Sequence, residues 1–220
     1  MTTWLYGLIL PRNAPRVPDD LLGIGETPVR LLSCRGVTAI VGTVAQPVRH
    51  TDVGAVRAHD RVLRNVAERS VTVAAVRFGQ LFPTDTAACA DLSTDGPHMI
   101  STLERLDGLV EMRVLLPEHE APISRSTAER LGPGRAYLES LRGHHPVDGI
   151  SLRGAMGPLV HEERVEKLEA AGSAGVAFAH LIDARTVGRY RDAIAELPAL
   201  AGAHVIGPLP LYSFGTVEHG

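Results

Sequence analysis

The chain has 220 residues, of which 45% are hydrophobic and 21% are charged, so it is long enough for two domains of about 100 residues. Its formal net charge is -3, from 22 basic and 25 acidic residues, and aromatic residues make up 4%. This balance excludes a typical nucleic-acid-binding protein, because it supplies neither a basic surface for phosphates nor an array of aromatic stacking platforms.

The amino terminus and the two cysteines bear on the compartment. The opening Met1-Thr2-Thr3-Trp4 lacks a basic secretion signal, and no apolar run reaches the roughly 18 residues of a membrane span. Cys34 and Cys89 are far apart in the sequence and have no partner at metal-ligand spacing, which favours two buried thiols over a disulfide. We therefore expect a cytoplasmic protein with no membrane partner.

The first half of the chain alternates between strand and helix patterns. Arg35-Gly36 separates two apolar runs, and because glycine tolerates a positive φ, the runs predict a tight hairpin. Thr51 or Asp52 caps a helix that continues to about Arg69. The predicted buried face of this helix carries Val53, Val56, Val62, Leu63 and Val66. The other predicted elements are strands at 4–10, 29–34, 37–44, 71–76 and 109–116, a surface loop at 13–28, and helices at 85–92 and 97–106.

The second half begins around an interruption at 117–133, where charged residues, serine and proline replace periodic apolar residues. The predicted elements beyond it are a helix from Gly134 that is broken at 143–149, a charged amphipathic helix at 158–170, a strand at 176–182, a helix at 186–197 and a strand at 203–206. We place an N-terminal domain at 1–108 and a C-terminal domain at 109–220, with the boundary within 107–125.

The predicted fold class is α+β. Strands and helices interleave, but the early hairpin argues against a purely parallel sheet. Two domains, each with an open, mostly antiparallel sheet and helices on one face, fit the pattern better than a doubly wound fold.

The C-terminal segment Gly207-Pro208-Leu209-Pro210-Leu211-Tyr212-Ser213-Phe214 is unusually apolar for a chain end. Because proline has no backbone N–H for a central strand, the run should leave a strand and pack as an extended strap. The strap either closes the core of its own domain or docks on another chain. In the second case, the candidate partner-binding residues are Leu209, Leu211, Tyr212 and Phe214.

The segment Arg77-Phe78-Gly79-Gln80-Leu81-Phe82 follows a predicted buried strand, a position where functional groups are common. In one interpretation Phe78 and Phe82 fill the core, Arg77 pairs with a carboxylate and Gly79 permits a bend. In the other, Arg77 anchors an interface, with Phe78 and Phe82 beside it as candidate partner-binding residues.

Catalytic motifs are not found. Gly23-Ile24-Gly25 begins like a dinucleotide-binding motif but lacks the third glycine, so we interpret its glycines as turn residues of the surface loop. No phosphate-binding loop or nucleophile elbow occurs. His144, His145 and Asp148 share a loop, but no fixed element supplies further metal ligands. His59 lies next to Asp60 on the first predicted helix. We interpret it as a hydrogen-bonded histidine on the helix surface or at an interface, which is a commoner role than that of a general base. We predict no catalytic residue, metal or cofactor.

Six features occur in a fixed order along the chain: Tyr6-Gly7, Cys34-Arg35-Gly36-Val37, His59, Val76-Arg77-Phe78-Gly79, Gly134-Arg135-Ala136-Tyr137-Leu138 and the terminal Gly207 to Phe214 segment. In their order and spacing they resemble the gas vesicle protein F/L family, and the resemblance spans nearly the whole chain. The chain departs from the family pattern at Leu209 and Leu211, where members often carry tryptophan and a further proline.

The resemblance implies two α+β domains with ferredoxin-like elements and an extended C-terminal tail. It also implies a non-enzymatic factor in the cytoplasm and on gas vesicles that binds the hydrophobic shell protein. Other gas vesicle accessory proteins are expected as further partners. Retention as a minor shell component is compatible with this role. The alternative is a small-molecule-binding protein or enzyme on a ferredoxin-like scaffold, with Arg77 and His59 lining a pocket.

Overall fold

A computed structural model describes residues 1–45, 48–49, 51–69, 72–117, 152, 154, 156–170, 173–197, 200 and 203–215 of the chain. These residues form two units. The first comprises Met1–Glu111 together with the tail from Pro208, and the second comprises Met112–Gly207. The sequence-based division had instead placed the tail in the C-terminal domain. In the described part of the chain, no helix combines the length and apolar character that crossing a membrane requires.

The first unit is built on a five-stranded sheet. Its elements are β1 (Thr2–Ile9), β2 (Arg30–Cys34), β3 (Val37–Val44), α1 (Val53–Ala67), β4 (Ala74–Ala75), β5 (Leu81–Phe82), α2 (Asp85–Thr94), α3 (Gly96–Leu106) and the start of β6 (Leu109–Pro117). The strand order is β2-β3-β1-β4, and β5 also pairs with β1; these pairings are all antiparallel. The fold is α+β, as the sequence predicts.

Local signals account for several of these elements. Cys34 pairs with Val37 across the two-residue turn, and Gly36 has φ +86°, which confirms the predicted hairpin. The Asp52 side chain accepts a hydrogen bond from the Ala55 N–H at 3.0 Å and caps α1. The predicted face of α1 is only partly buried, because Val53 is 61% exposed and Val56 is 43% exposed.

A β-bulge in β1 reverses which side chains face each side of the sheet beyond it. Leu5 pairs with Val41 and Gly7 pairs with Ile40, so Tyr6 is the extra residue. As a result, Leu5 and Leu8 face one core cluster, although simple alternation would put them on opposite faces.

Helices cover both faces of the first sheet, where the sequence predicted one face. On one face, α1 contributes Val62 and Leu63 to a core with Trp4. On the other, Leu92 of α2 and Met99 of α3 belong to a second core. Both cores draw on alternate residues of β3, which is why nearly all of that strand is buried.

The second unit contains a four-stranded sheet of order β7-β8-β6-β9, with β7 (Glu162–Ala170), β8 (Ser173–Asp183) and β9 (His204–Leu209). Helix α4 (Val187–Ala195) buries Tyr190 and Ile194, as predicted. The helix predicted at 158–170 is wrong, because β7 pairs antiparallel with β8 along its whole length. The apolar spacing of Val165 and Leu168 mimics a helical face, whereas cross-strand pairing determines the structure.

The edge strands of the second sheet carry features that discourage further pairing. The sequence of β7 is EERVEKLEA, and charged residues on an edge strand oppose the addition of another strand. In β9, Pro208 lacks a backbone N–H and Gly207 has φ +139°. The ferredoxin-like arrangement and the helix predicted from Gly134 remain predictions, because residues 118–151 lie outside the described residues.

The prediction of two free thiols is wrong, because Cys34 and Cys89 form a disulfide. The two residues are 55 positions apart, but the end of β2 and the middle of α2 bring their Cα atoms to 5.0 Å. That separation lies within the range that a disulfide spans. Spacing along the sequence did not reveal this tertiary contact.

The tail packs on the first unit. Leu211 forms a parallel bridge with Ala74, and its backbone N–H donates to the Val73 carbonyl at 2.9 Å. The strand predicted at 71–76 is correspondingly short, since β4 contains only two residues. Leu211 is 1% exposed and Phe214 is 3% exposed, so the strap contributes to the core of its own chain.

Candidate functional site

An aromatic cluster lies beneath the candidate residues of the first unit. The Trp4 indole N–H donates to Nδ1 of His59 at 3.1 Å. The Phe78 ring packs edge-on against Trp4, with ring centroids 4.9 Å apart, and lies 5.4 Å from the His59 ring. The Tyr6 ring centroid lies 5.2 Å from that of His59. The cluster therefore joins β1, α1 and the segment that follows β4.

His59 is a core residue and not the helix-surface residue that the sequence suggested. It is 5% exposed, and burial lowers its pKa to about 4, although the neighbouring Asp60 carboxylate opposes this shift. At neutral pH the imidazole is uncharged and accepts the Trp4 hydrogen bond through Nδ1. Its geometry suits packing, because the rings of Trp4, Tyr6 and Phe78 all lie within 6.1 Å of it, measured between ring centroids.

The Tyr6 hydroxyl lies close to the backbone of Gly23 and Gly42, a contact that the sequence did not predict. It accepts a hydrogen bond from the Ile24 N–H at 2.9 Å, and burial raises the Tyr6 pKa. A Cβ atom at Gly23 would lie 2.1 Å from the hydroxyl oxygen, and one at Gly42 would lie 3.0 Å away. Gly23, which the sequence predicted to be only a turn residue in a loop, therefore leaves the space that the Tyr6 hydroxyl occupies.

The segment from Val76 to Gln80 is tied to β1 by its backbone. The Val76 N–H donates to the Tyr6 carbonyl at 3.1 Å, and the Leu5 N–H donates to the Gln80 carbonyl at 3.0 Å. Gly79 has φ +98°, which accounts for the predicted bend. The loop therefore presents its side chains from a backbone that the sheet holds in place.

The residues of this segment divide between core and surface. Phe78 is half-buried against the first core and Phe82 against the second, so the two predicted site residues face different clusters. Arg77 is exposed, and within the described parts of the chain it forms no ion pair with a carboxylate. Leu81, which was not among the predicted site residues, is 37% exposed.

Arg77 and Leu81 are the two exposed residues between positions 77 and 82, one cationic and one apolar, and we call this exposed part of the segment the β5 surface. It is a candidate docking site because β5 pairs with β1 and, among the described residues, no strand pairs with its outer side. The outer side of β4, in contrast, carries the tail residue Leu211. An extended segment of another protein could therefore add beside β5.

The other predicted partner-binding residues are held within the first unit. Leu209 is 5% exposed, and Tyr212 donates its hydroxyl hydrogen bond to Asp60 on α1. Burial and this hydrogen bond raise the Tyr212 pKa above its ordinary range. With Leu211 and Phe214 also buried, the tail is positioned to stabilise the unit, and the structure does not bring it together with Arg77 on one exposed surface.

A buried carboxylate anchors the tail beside these contacts. Glu111 is fully buried and accepts hydrogen bonds from the Ser213 N–H at 2.7 Å and the Ser213 hydroxyl at 3.1 Å. Such charge-assisted bonds compensate for part of the cost of burying the carboxylate. Sequence periodicity could not identify this pair, because its members are separated by 102 positions.

A cavity of about 150 Å³ lies between the tail and the end of α1. Its lining residues are Arg64, Ala67, Glu68, Val73, Leu109, Val110, Pro208, Leu209, Pro210 and Leu211. Neither Arg77 nor His59 lines it, so this cavity is not the pocket of the enzyme alternative. The candidate ligand set of His144, His145 and Asp148 lies outside the described residues.

Comparisons with known proteins agree in sequence and in fold. Residues 2–216 match the family model described as gas vesicle synthesis protein GvpL/GvpF. Gas vesicle protein F of Streptomyces sp. (strain CB03234) is 28% identical over 244 residues, covering 97% of this chain and 99% of the relative.

Two crystal structures share the fold. GvpF from Anabaena sp. PCC7120 has a TM-score of 0.75 and 16% identity, and the match covers 99% of this chain and 97% of that one. GvpF from Microcystis aeruginosa has a TM-score of 0.72 and 15% identity, covering 97% and 98% of the two chains.

Proposed function

We propose that this chain, which belongs to the gas vesicle synthesis protein GvpL/GvpF family, binds the hydrophobic shell protein of gas vesicles and supports vesicle formation. The observation that carries the proposal is the family match over residues 2–216. The chain acts in the cytoplasm and at the vesicle, alongside other gas vesicle accessory proteins and without catalysing a reaction. Retention of the protein as a minor component of the shell is compatible with this role.

The role answers a physical problem of shell assembly. A shell subunit that faces a gas lumen needs a water-repelling surface, and before assembly this surface and the subunit's strand edges favour aggregation. A binder that covers them lowers the concentration of the free subunit. Release follows when the growing shell buries more apolar area than the binder does.

We assign the first contact with the shell subunit to the β5 surface. Leu81 supplies exposed apolar area, and Arg77 supplies a cation of the kind that often anchors protein interfaces. The backbone hydrogen bonds to β1 hold this loop in place, so little conformational entropy is lost when a partner binds. An added strand beside β5 would also satisfy backbone groups of the shell subunit.

Binding of purified shell protein to single-site variants tests this assignment. Arg77→Ala and Leu81→Ala should each weaken binding, and a hot-spot loss of about 2 kcal/mol corresponds to roughly a 30-fold rise in Kd. Arg35→Ala and Val53→Ala are the matched controls, because these residues are exposed elsewhere on the first unit. Their Kd values should remain within about twofold of wild type.

The same measurements distinguish an error in the assigned docking surface from an error in the proposed binding function. If wild-type chain binds the shell protein and all four variants bind equally well, the β5 surface is the wrong site. If wild-type chain fails to bind the shell protein under any of the assembly conditions, the proposed binding function itself is contradicted.

A further inference from the structure

We propose that the Cys34–Cys89 disulfide is a redox-responsive lock that determines how firmly α2 covers the first sheet. The disulfide joins the last residue of β2 to the middle of α2. Helix α2 contacts β1, β2 and β5, so it lies over three strands of that sheet. The lock therefore connects a surface helix to the strands beneath it.

The remaining attachment of α2 is limited. Only Ala88 and Leu92 of its ten residues are buried, and Leu92 is its one large contribution to the second core. At its first turn, the Asp85 carboxylate accepts hydrogen bonds from the Thr3 hydroxyl at 2.7 Å and from Arg30 at 2.8 Å. Both bonds lie at one end of the helix, so the disulfide is the tie at its middle.

Helix α3 provides the internal comparison. It packs on the same face through Met99 and Leu103, which are 0% and 2% exposed, and buries Leu106 as well. Three large apolar side chains hold α3, against one for α2. Loss of the disulfide should therefore release α2 while α3 stays in place.

The two cysteine residues differ in their exposure to solvent. Cys34 is 8% exposed, whereas Cys89 is only partly buried on the surface helix. A thiolate from solution needs an exposed sulfur to attack. We therefore assign Cys89 as the sulfur that a small thiol such as glutathione attacks first.

The exchange reaction balances with two thiol molecules. The first glutathione thiolate bonds to the Cys89 sulfur, the Cys34–Cys89 bond breaks, and its electron pair leaves with Cys34. A second glutathione thiolate attacks the glutathione sulfur of the mixed disulfide and releases Cys89. Two glutathione molecules are oxidised to one glutathione disulfide, the protein disulfide is reduced, and the two protons lost by glutathione end on the two cysteines.

Hydrogen exchange of the full chain in reduced and in oxidised glutathione tests the lock. Reduction should speed amide exchange in α2 by at least about tenfold and leave α1 and α3 within about twofold. Intact-mass measurement establishes the thiol state of each sample. Peptide mass spectrometry of briefly reduced protein should find glutathione on Cys89 before Cys34.

Cysteine variants keep the result interpretable. Cys34→Ser and Cys89→Ser should exchange rapidly at α2 in both buffers and lose the response to glutathione. Unchanged α2 exchange in wild-type protein with two free thiols would overturn the proposal. Equal acceleration in α1, α2 and α3 would overturn it too, because the disulfide would then support the whole unit and not one helix.

Discussion

Gly23 lies directly against the Tyr6 hydroxyl, so closely that a Cβ atom at position 23 would be 2.1 Å from the hydroxyl oxygen. The neighbouring Ile24 N–H donates to the same oxygen. The contact fastens the loop before β2 to the buried face of β1. It depends on the absence of a side chain and not on φ, because Gly23 has φ -98°.

Gly23→Ala should therefore lower the free energy of unfolding by about 1–3 kcal/mol, the usual cost of overpacking a core. Tyr6→Phe removes the obstructing oxygen, so the double variant should be more stable than the sum of the two single effects predicts. Urea unfolding of the four proteins measures this coupling. Strict additivity would show that the Tyr6 oxygen is not what excludes a side chain at position 23.

Local chemistry explains which parts of the first unit could be predicted. The Arg35-Gly36 turn and the Asp52 cap depend on residues close in sequence, and both predictions are confirmed. The Cys34–Cys89 disulfide depends on contacts across 55 positions, which periodicity does not report. The β1 bulge likewise changes which residues face each core without leaving a pattern that separates it from an ordinary strand.

The candidate site was predictable only in part. The sequence singled out the segment after β4 because of its arginine and aromatic residues, and the structure places Arg77 on the surface there. Leu81 was missed because an apolar residue in a short strand gives no signal of exposure. The tail was equally conspicuous, but whether an apolar segment packs on its own chain depends on tertiary partners such as Glu111.

The buried His59 should make the stability of the first unit depend on pH. Its pKa is about 4 in the folded state, against 6.5 for an ordinary histidine, so the unfolded chain binds the proton first. The free energy of unfolding is therefore unaffected by His59 well above pH 6.5, and it decreases by about 3 kcal/mol as the pH falls to 4.

His59→Gln supplies the comparison, because its amide oxygen can accept the Trp4 hydrogen bond but does not titrate. Carboxylates that titrate in both proteins cancel in the difference between the two unfolding curves. The wild type should lose more stability than the variant between pH 6.5 and 4. Parallel curves would contradict the buried, neutral histidine.

Truncation after Gly207 should destabilise the first unit by several kcal/mol. The deletion removes Leu209, Leu211 and Phe214, and burying a large apolar side chain contributes roughly 1.5–3 kcal/mol. Truncation after Gly215 keeps every described residue of the tail and is the control. Thermal unfolding measures the Tm of both truncated proteins. An unchanged Tm after truncation at Gly207 would be inconsistent with packing of the tail on its own chain.

Ser213→Ala tests the polar anchor of the same segment. The substitution removes the hydroxyl hydrogen bond to Glu111 and leaves the backbone bond, so we expect a loss of about 1–2 kcal/mol. Ser33→Ala, at an exposed position on β2, is the control and should change stability by less than about 0.5 kcal/mol. Equal effects of the two substitutions in urea unfolding would argue against the anchor.

The central claim is that the chain keeps shell protein available for vesicle formation, and deletion of its gene tests that claim most directly. All related copies in the host are removed, and electron microscopy is combined with sedimentation of the shell protein. We predict few or no vesicles and sedimented shell protein, with recovery on re-expression and a graded loss on partial depletion. Normal vesicle number and shape, with the shell protein still in the supernatant, would contradict the account.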